Sequence, residues 1–123
     1  MKIEISNGEL VDKLTILEIK QEKITDQAKL VNIRKEYDQL VGVVKKIINL
    51  DDPLYVKLKE VNQKLWDIED RIRDYERRQD FGKPFVETAR MVYFTNDIRA
   101  RIKHDINLKT GSDLIEEKSY EDY

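Results

Sequence analysis

The stretch PLYVKLKEVNQKLWDIEDRIRDYERRQ, residues 53–79, decides the fold. Asp52 comes just before it as a helix cap, and Pro53 suits the first helical position because no backbone donor is needed there. The stretch therefore predicts one long helix whose apolar seam needs partners. The apolar side chains recur with alternating steps of four and three residues, a heptad pattern typical of coiled coils: Leu54, Leu58, Val61, Leu65, Ile68, Ile72 and Tyr75.

Three further stretches carry a helical period and can supply those partners. Ser6 and Glu9 have the spacing of a capping box, which predicts the start of the first helix. Apolar residues surround much of that helix, so we expect it to be central. Gly111 ends the last helix. The predicted helices cover about residues 7–24, 26–49, 53–79 and 84–109, and a tail follows at 110–123.

Composition favours one helix-rich domain. Hydrophobic residues make up 40% and charged residues 39% of the 123 residues, with four glycines and two prolines. A sheet protein would need more Gly and Pro in its turns. We therefore predict an all-α fold in one domain, residues 1–123. Its four main helices form an antiparallel bundle or a helical hairpin that a second subunit completes.

Charge and motifs exclude several function classes. The formal charge of −2 disfavours nucleic-acid binding, and the lack of cysteine excludes disulfides and thiol chemistry. No apolar run approaches the roughly 20 residues of a membrane span, and none is typical of a signal peptide, so we expect a cytoplasmic protein of a bacterium or of a virus-infected cell. His104 is the only histidine, and glycine-rich phosphate loops are absent. We expect no metal and no cofactor.

On the long helix, acids stand four residues before bases, which is typical of an exposed helix face. Each such pair stabilises a helix by roughly 0.2–0.5 kcal/mol. The pairs are Glu60 and Lys64, Asp67 and Arg71, Glu69 and Arg73, and Asp74 and Arg78.

Polar side chains lie inside the apolar arcs of the first and fourth predicted helices. Burying isolated charges is costly, so these side chains must pair with one another, reach a water-filled crevice or meet a ligand. Asp12 and Asp97 border these two groups of polar side chains and can balance their cations. If they do not, the crevice is electropositive and suits a carboxylate or phosphate. The ligand-binding candidates are Glu9, Asp12, Lys13, Lys20, Asn96, Asp97, Arg99 and Lys103.

Two functions follow as hypotheses. The first is a non-enzymatic binding or scaffold module that assembles with itself or with a partner protein. The alternative is an enzyme or small-ligand binder in which the cations hold an anion, Asn96 orients it, and Glu9 or Asp12 acts as a base. No catalytic residue is assigned, and the sequence leaves open the ligand, the oligomeric state and the order of the tail.

Three segments resemble an uncharacterised family of small helical proteins from bacteria and their marine phages. They are ISNGELVDKLTILEIK at residues 5–20, YFTNDIRARIKHDIN at 93–107 and EEKSY at 116–120. The resemblance covers nearly the whole chain and includes most of the candidate site residues, but it implies no activity. Residues 9–20 also resemble, more weakly, the all-helical chorismate mutases in their general pattern of charged and apolar residues. The chain lacks the arginine that those enzymes carry early in the first helix.

Overall fold

The computed structural model describes residues 1–123 and contains four α-helices and no strand. Helix α1 spans Asn7–Lys23, α2 spans Gln27–Ile47, α3 spans Pro53–Arg77 and α4 spans Lys83–Thr110. The predicted all-α fold with four main helices that pack against one another is confirmed. None of the helices is both long and apolar enough to cross a membrane.

Side chains mark the helix starts. Asp52 Oδ1 accepts a hydrogen bond from the backbone N–H of Leu54 over 2.9 Å, and Pro53 follows it in the first turn of α3. Ser6 Oγ accepts from the N–H of Glu9 over 3.1 Å. The Glu9 carboxylate does not return to the cap, since it bonds a lysine of α4 instead. Half of the predicted capping box therefore forms, and its acid serves a tertiary contact.

Helix α1 is the centre of the packing. It packs closely on α2, α3 and α4, whereas the backbone of α2 stays farther from those of α3 and α4. Hydrogen bonds join α1 to Asn107 and Arg99 on α4 and to Asn62 and Tyr55 on α3. Helix α1 thus lies across the hairpin of α3 and α4, and α2 packs on α1 with a cleft between it and α3.

The apolar core lies where α1 crosses the hairpin. A smaller cluster of Leu17, Leu30 and Ile33 joins α1 to α2. The core position explains why α1 carries apolar residues on most of its circumference. The main cluster contains Val11, Leu14, Val44, Ile48, Tyr55, Leu58, Ile102 and Ile106.

The distal halves of α3 and α4 and the turn between them, residues 69–92, form what we call the arm. No hydrogen bond or ion pair from α1 reaches the hairpin between residues 63 and 98. Thr88 is the only buried residue of the arm. The apolar seam of the arm is only partly buried. It consists of Ile72, Tyr75, Phe85, Ala89 and Val92.

Two of the four ion pairs predicted for the long helix form, both of them in the arm. Arg73 pairs with Glu69, and Arg78 pairs with Asp74 at 3.0 Å. The pairs predicted for Glu60 and Asp67 are absent, so both carboxylates have no ion-pair partner.

Candidate functional site

The crossing of α1 and α4 brings together half of the predicted site residues as two ion pairs. Lys103 Nζ lies 2.7 Å from Glu9 Oε2. Arg99 Nε donates to Asp12 Oδ1 over 3.0 Å, and its Nη2 donates to the other carboxylate oxygen. This two-pronged geometry is the strongest form of an arginine–carboxylate pair. Each cation at the crossing is thus matched by an acid.

The Asp12 carboxylate is almost fully buried, at 1% exposure, and its polar surroundings are complete. Asn62 Nδ2 donates to Asp12 Oδ1 over 2.8 Å and also lies 2.8 Å from Thr15 Oγ1. Thr15 in turn donates to the backbone oxygen of Asp12 over 2.7 Å. The hydrogen bond to Asp12 raises the pKa of Arg99 despite the opposing effect of burial. The guanidinium therefore stays charged.

Asn62 and Thr15 were not among the predicted site residues. A signal for Asn62 existed in the sequence, because it stands four residues after Leu58 and three before Leu65. A polar residue on the apolar face of a helix needs a buried partner. Thr15 gives no such signal, since a threonine can satisfy its hydroxyl within its own helix.

The first turn of α1 is closed by α4 and the residues after it. The N–H of Asn7 donates to Ser112 Oγ over 2.9 Å, and that of Gly8 donates to Asn107 Oδ1 over 2.6 Å. A Cβ at Gly8 would lie only 2.4 Å from the backbone oxygen of Lys103. Because its free backbone donors already have partners, this helix start has none left for an external anion.

The remaining predicted site residues do not join the crossing. Lys13 is exposed and Lys20 is half-buried, and neither forms an ion pair. Asn96 lies beside Arg99 in a crevice of about 500 Å³ between α1, α3 and α4, which we call the Trp66 crevice. Its charged lining is balanced, since two acids, Glu69 and Asp70, face two arginines, Arg73 and Arg99.

Asp97 lies on the outer face of α4, where the tail folds back onto it. Its carboxylate accepts hydrogen bonds from Lys118 and from the Tyr123 hydroxyl. The bond from Lys118, and then the bond from Tyr123, lower the pKa of Asp97. The Tyr123 ring packs on Tyr93 and Phe94 at centroid distances of 5.4 and 5.0 Å. The structure therefore gives Asp97 a role in docking the tail.

A cleft of about 710 Å³ was not predicted. It lies between α2 and α3 with α1 as its floor, and we call it the Tyr37 cleft. Lys59 Nζ lies 2.8 Å from Glu18 Oε2 and 3.0 Å from Glu22 Oε1, and the Tyr55 hydroxyl donates to Glu18. The helical period could not reveal this cleft, because each of its charged residues reads as ordinary surface on its own helix.

Titration in the Tyr37 cleft follows from burial and from these contacts. Burial, reinforced by the nearby Glu18 carboxylate, raises the pKa of Tyr37 and of Tyr55. Burial lowers the pKa of Lys59, but the bonds to Glu18 and Glu22 outweigh it and leave this pKa raised. Lys59 is thus a fixed ammonium and not an amine nucleophile. No group of three or more His, Asp or Glu side chains is arranged to hold a metal ion.

Comparison with known proteins gives one family. The model of a family described as "Family of unknown function (DUF6165)" matches residues 1–123. No curated protein and no solved structure matches the chain. The predicted resemblance to an uncharacterised family is confirmed, and the likeness to chorismate mutases stays a prediction.

Proposed function

We propose that this chain, which belongs to the DUF6165 family of unknown function, is a non-enzymatic helical module that associates with a second copy of itself through the arm. The observation that carries the proposal is the apolar surface that the arm leaves uncovered.

Two helices alone cannot cover each other's apolar sides completely. In the arm, Phe81 and Val86 are about half exposed, at 49% and 50%, and the seam beneath them is only partly buried. The rings of Phe81 and Phe85 pack edge to face with centroids 5.3 Å apart. A second arm laid against this surface would complete a four-helix arrangement, which is the usual way such seams are buried.

The charges of the arm favour a second copy as the occupant. Residues 69–92 contain six basic and six acidic side chains, so the arm has no formal net charge. Two neutral arms do not repel each other, and their mixed charges allow complementary contacts at the rim. A strongly charged partner finds no such complement here.

The polar residues of the crossing support an architectural role. Arg99 and Lys103 are paired with carboxylates, and the bonds to Asn62 tie α1 to the hairpin. These contacts fix the hairpin from which the arm extends. They leave few donors for catalysis or for anion capture.

The alternative of an anion-binding crevice stays a prediction. One feature of Arg99 favours this alternative. Its hydrogen bonds use Nε and Nη2, and Nη1 has no partner. This guanidinium lines the Trp66 crevice together with Asn96. The stability of an Arg99→Met variant separates the two functions.

The test is the mass of the protein in solution. We expect sedimentation velocity to show a dimer of the 14.7 kDa chain that dissociates on dilution. Val86→Glu should raise the dimer dissociation constant by at least about tenfold, because it buries an unpaired charge in the interface. Since Val86 is half exposed, this variant should still fold.

Val31→Glu is the matched control, because Val31 is 64% exposed on α2. It should leave the dimer unchanged. A wild-type protein that stays monomeric at the highest concentration reached would contradict the proposal. Equal dissociation constants for Val86→Glu and wild type would contradict the interface.

A further inference from the structure

The Tyr37 cleft has the size of a small-molecule site. Its volume of about 710 Å³ lies within the range of roughly 300–1,000 Å³ for ligand pockets. Apolar side chains of Leu50 and Val56 line it together with two tyrosines and several polar groups. This mixture is typical of sites that bind small organic molecules.

The charge of the cleft selects the sign of a ligand. Three glutamates and one lysine line it. The Lys59 ammonium already sits between Glu18 and Glu22, so the cleft accommodates an ammonium group. Glu60 has no ion-pair partner, and only one oxygen of Glu22 is engaged. The cleft therefore has acceptor capacity left for a further cation.

Two neutral polar groups are also without partners. Gln21 Nε2 is buried and has no hydrogen-bond partner, the one such side-chain atom in the chain. An unsatisfied buried donor is unusual, because it costs more than a hydrogen bond contributes. The hydroxyl of Tyr37 also makes no hydrogen bond, and its half-buried ring faces the same cleft. A rotation of the Gln21 side chain toward the cleft would let this amide donate to a ligand oxygen.

We propose that the Tyr37 cleft binds a small organic cation, an alkylammonium compound that also carries an oxygen acceptor. Glu60 and the free oxygen of Glu22 accept hydrogen bonds from the ammonium group. The alkyl chain lies against the Tyr37 ring, and the oxygen accepts from Gln21. The proposal does not depend on self-association through the arm.

The test is a titration followed by ¹H–¹⁵N NMR spectra of the full chain. The probe is 4-aminobutan-1-ol, and 1,4-butanediol is its neutral counterpart of nearly equal size. We expect the amino alcohol to shift the side-chain amide signals of Gln21 and Gln63 to saturation, with little change from the diol. Sodium chloride at equal ionic strength controls for screening.

Charge variants locate the binding site. Glu60→Gln should weaken binding about three- to fivefold, the effect of losing a partly exposed ion pair. Glu76→Gln removes an equal charge near the other end of α3 and should leave binding unchanged. Equal responses to amino alcohol and diol, or equal binding by the two variants, would overturn the proposal.

A third probe distinguishes two sources of the same chemistry. N-acetyl-lysine methylamide carries an ammonium group and amide oxygens, as a lysine of another protein would. Tighter binding of this probe than of the amino alcohol would indicate a lysine side chain as the natural occupant. Tighter binding of the amino alcohol would indicate a free metabolite.

Discussion

The crossing of α1 over the hairpin and the arm at the hairpin's far end use the same two helices in opposite ways. At the crossing, polar side chains are buried and each has a defined partner, as Asp12 and Asn62 show. In the arm, Thr88 is the only buried residue, and the charges pair on the surface. The burial of an ion pair, and not the number of charges around it, therefore decides how much the pair contributes to stability.

The ion pairs of the two regions differ in how far their side chains are exposed to solvent. The side chains of Asp12 and Arg99 are 1% and 28% exposed, whereas those of Asp74 and Arg78 are 53% and 54% exposed. A buried carboxylate that loses its partner cannot regain the solvation it gave up on folding. A surface carboxylate returns to water at little cost. Equal substitutions in the two regions should therefore have unequal effects.

The largest effect is expected for Arg99→Met. It leaves the Asp12 carboxylate buried with Asn62 as its only side-chain partner and should lower the free energy of unfolding by about 3–5 kcal/mol. Arg78→Met in the arm is the matched control and should cost less than about 0.5 kcal/mol. Urea unfolding followed by circular dichroism measures both.

A second substitution shows whether the stranded charge is the cause. Adding Asp12→Asn to Arg99→Met removes the unpaired charge and should recover part of the lost stability. If Arg99→Met alone proved as stable as wild type or more stable, the ion pair would not be structural. The anion-binding alternative would then gain support.

The sequence predicted the fold class because periodicity reports which face of a helix is apolar. It also selected Glu9, Arg99 and Lys103 as polar residues inside apolar arcs and Asp12 as an acid at their border, but it did not fix which side chains pair. Pairing depends on the angle at which α1 crosses the hairpin. It also depends on the close approach of α1 to α4 at Gly8, which no single-helix pattern encodes.

The same reason explains the features that were missed. A helical period describes one helix at a time, and it predicts Lys13 inside an apolar arc although its side chain is exposed. The Tyr37 cleft exists because α2 and α3 both pack on α1 while their backbones stay apart. Such an opening is a property of three helices together, so it leaves no trace in the period of any one of them.

The next largest effect concerns the two glycines that lie within helices. Gly8→Ala places a methyl group 2.4 Å from a backbone oxygen and 2.9 Å from Asn107 Oδ1, so α1 must move from α4. We expect a loss of about 1–3 kcal/mol in the free energy of unfolding. Gly42→Ala meets nothing within 4 Å in α2 and should stabilise the protein by about 0.5–1 kcal/mol.

Thermal and urea unfolding of the two variants measure these opposite signs. The pair isolates close packing, because the chemical change is identical at both sites. A Gly8→Ala protein at least as stable as wild type would show that α1 can shift at little cost. The crossing would then be as tolerant as the arm.

The smallest effect is expected at Asp52, the residue that caps the start of α3. Its carboxylate accepts from Lys109 and caps α3, so it ties the start of α3 to the end of α4. The bond from Lys109, and then that from the Leu54 N–H, lower the pKa of Asp52. A lowered folded pKa means that the carboxylate stabilises the protein above its unfolded value of about 3.9. This stability is lost as the pH falls through the folded value.

Asp52→Asn tests that effect, because asparagine caps a helix about as well as aspartate and removes only the charge. At pH 7 the variant should lose up to about 1 kcal/mol in urea unfolding, since Lys109 is half exposed and the ion pair is screened. As the pH falls through the lowered folded pKa, the carboxyl of the wild type becomes protonated and the difference should shrink. Asp51→Asn, at an exposed neighbour without an ion pair, controls for net charge. A difference that persists undiminished in acid would assign the effect to the helix cap and not to the ion pair with Lys109. That ion pair would then contribute as little to stability as the exposed pairs of the arm.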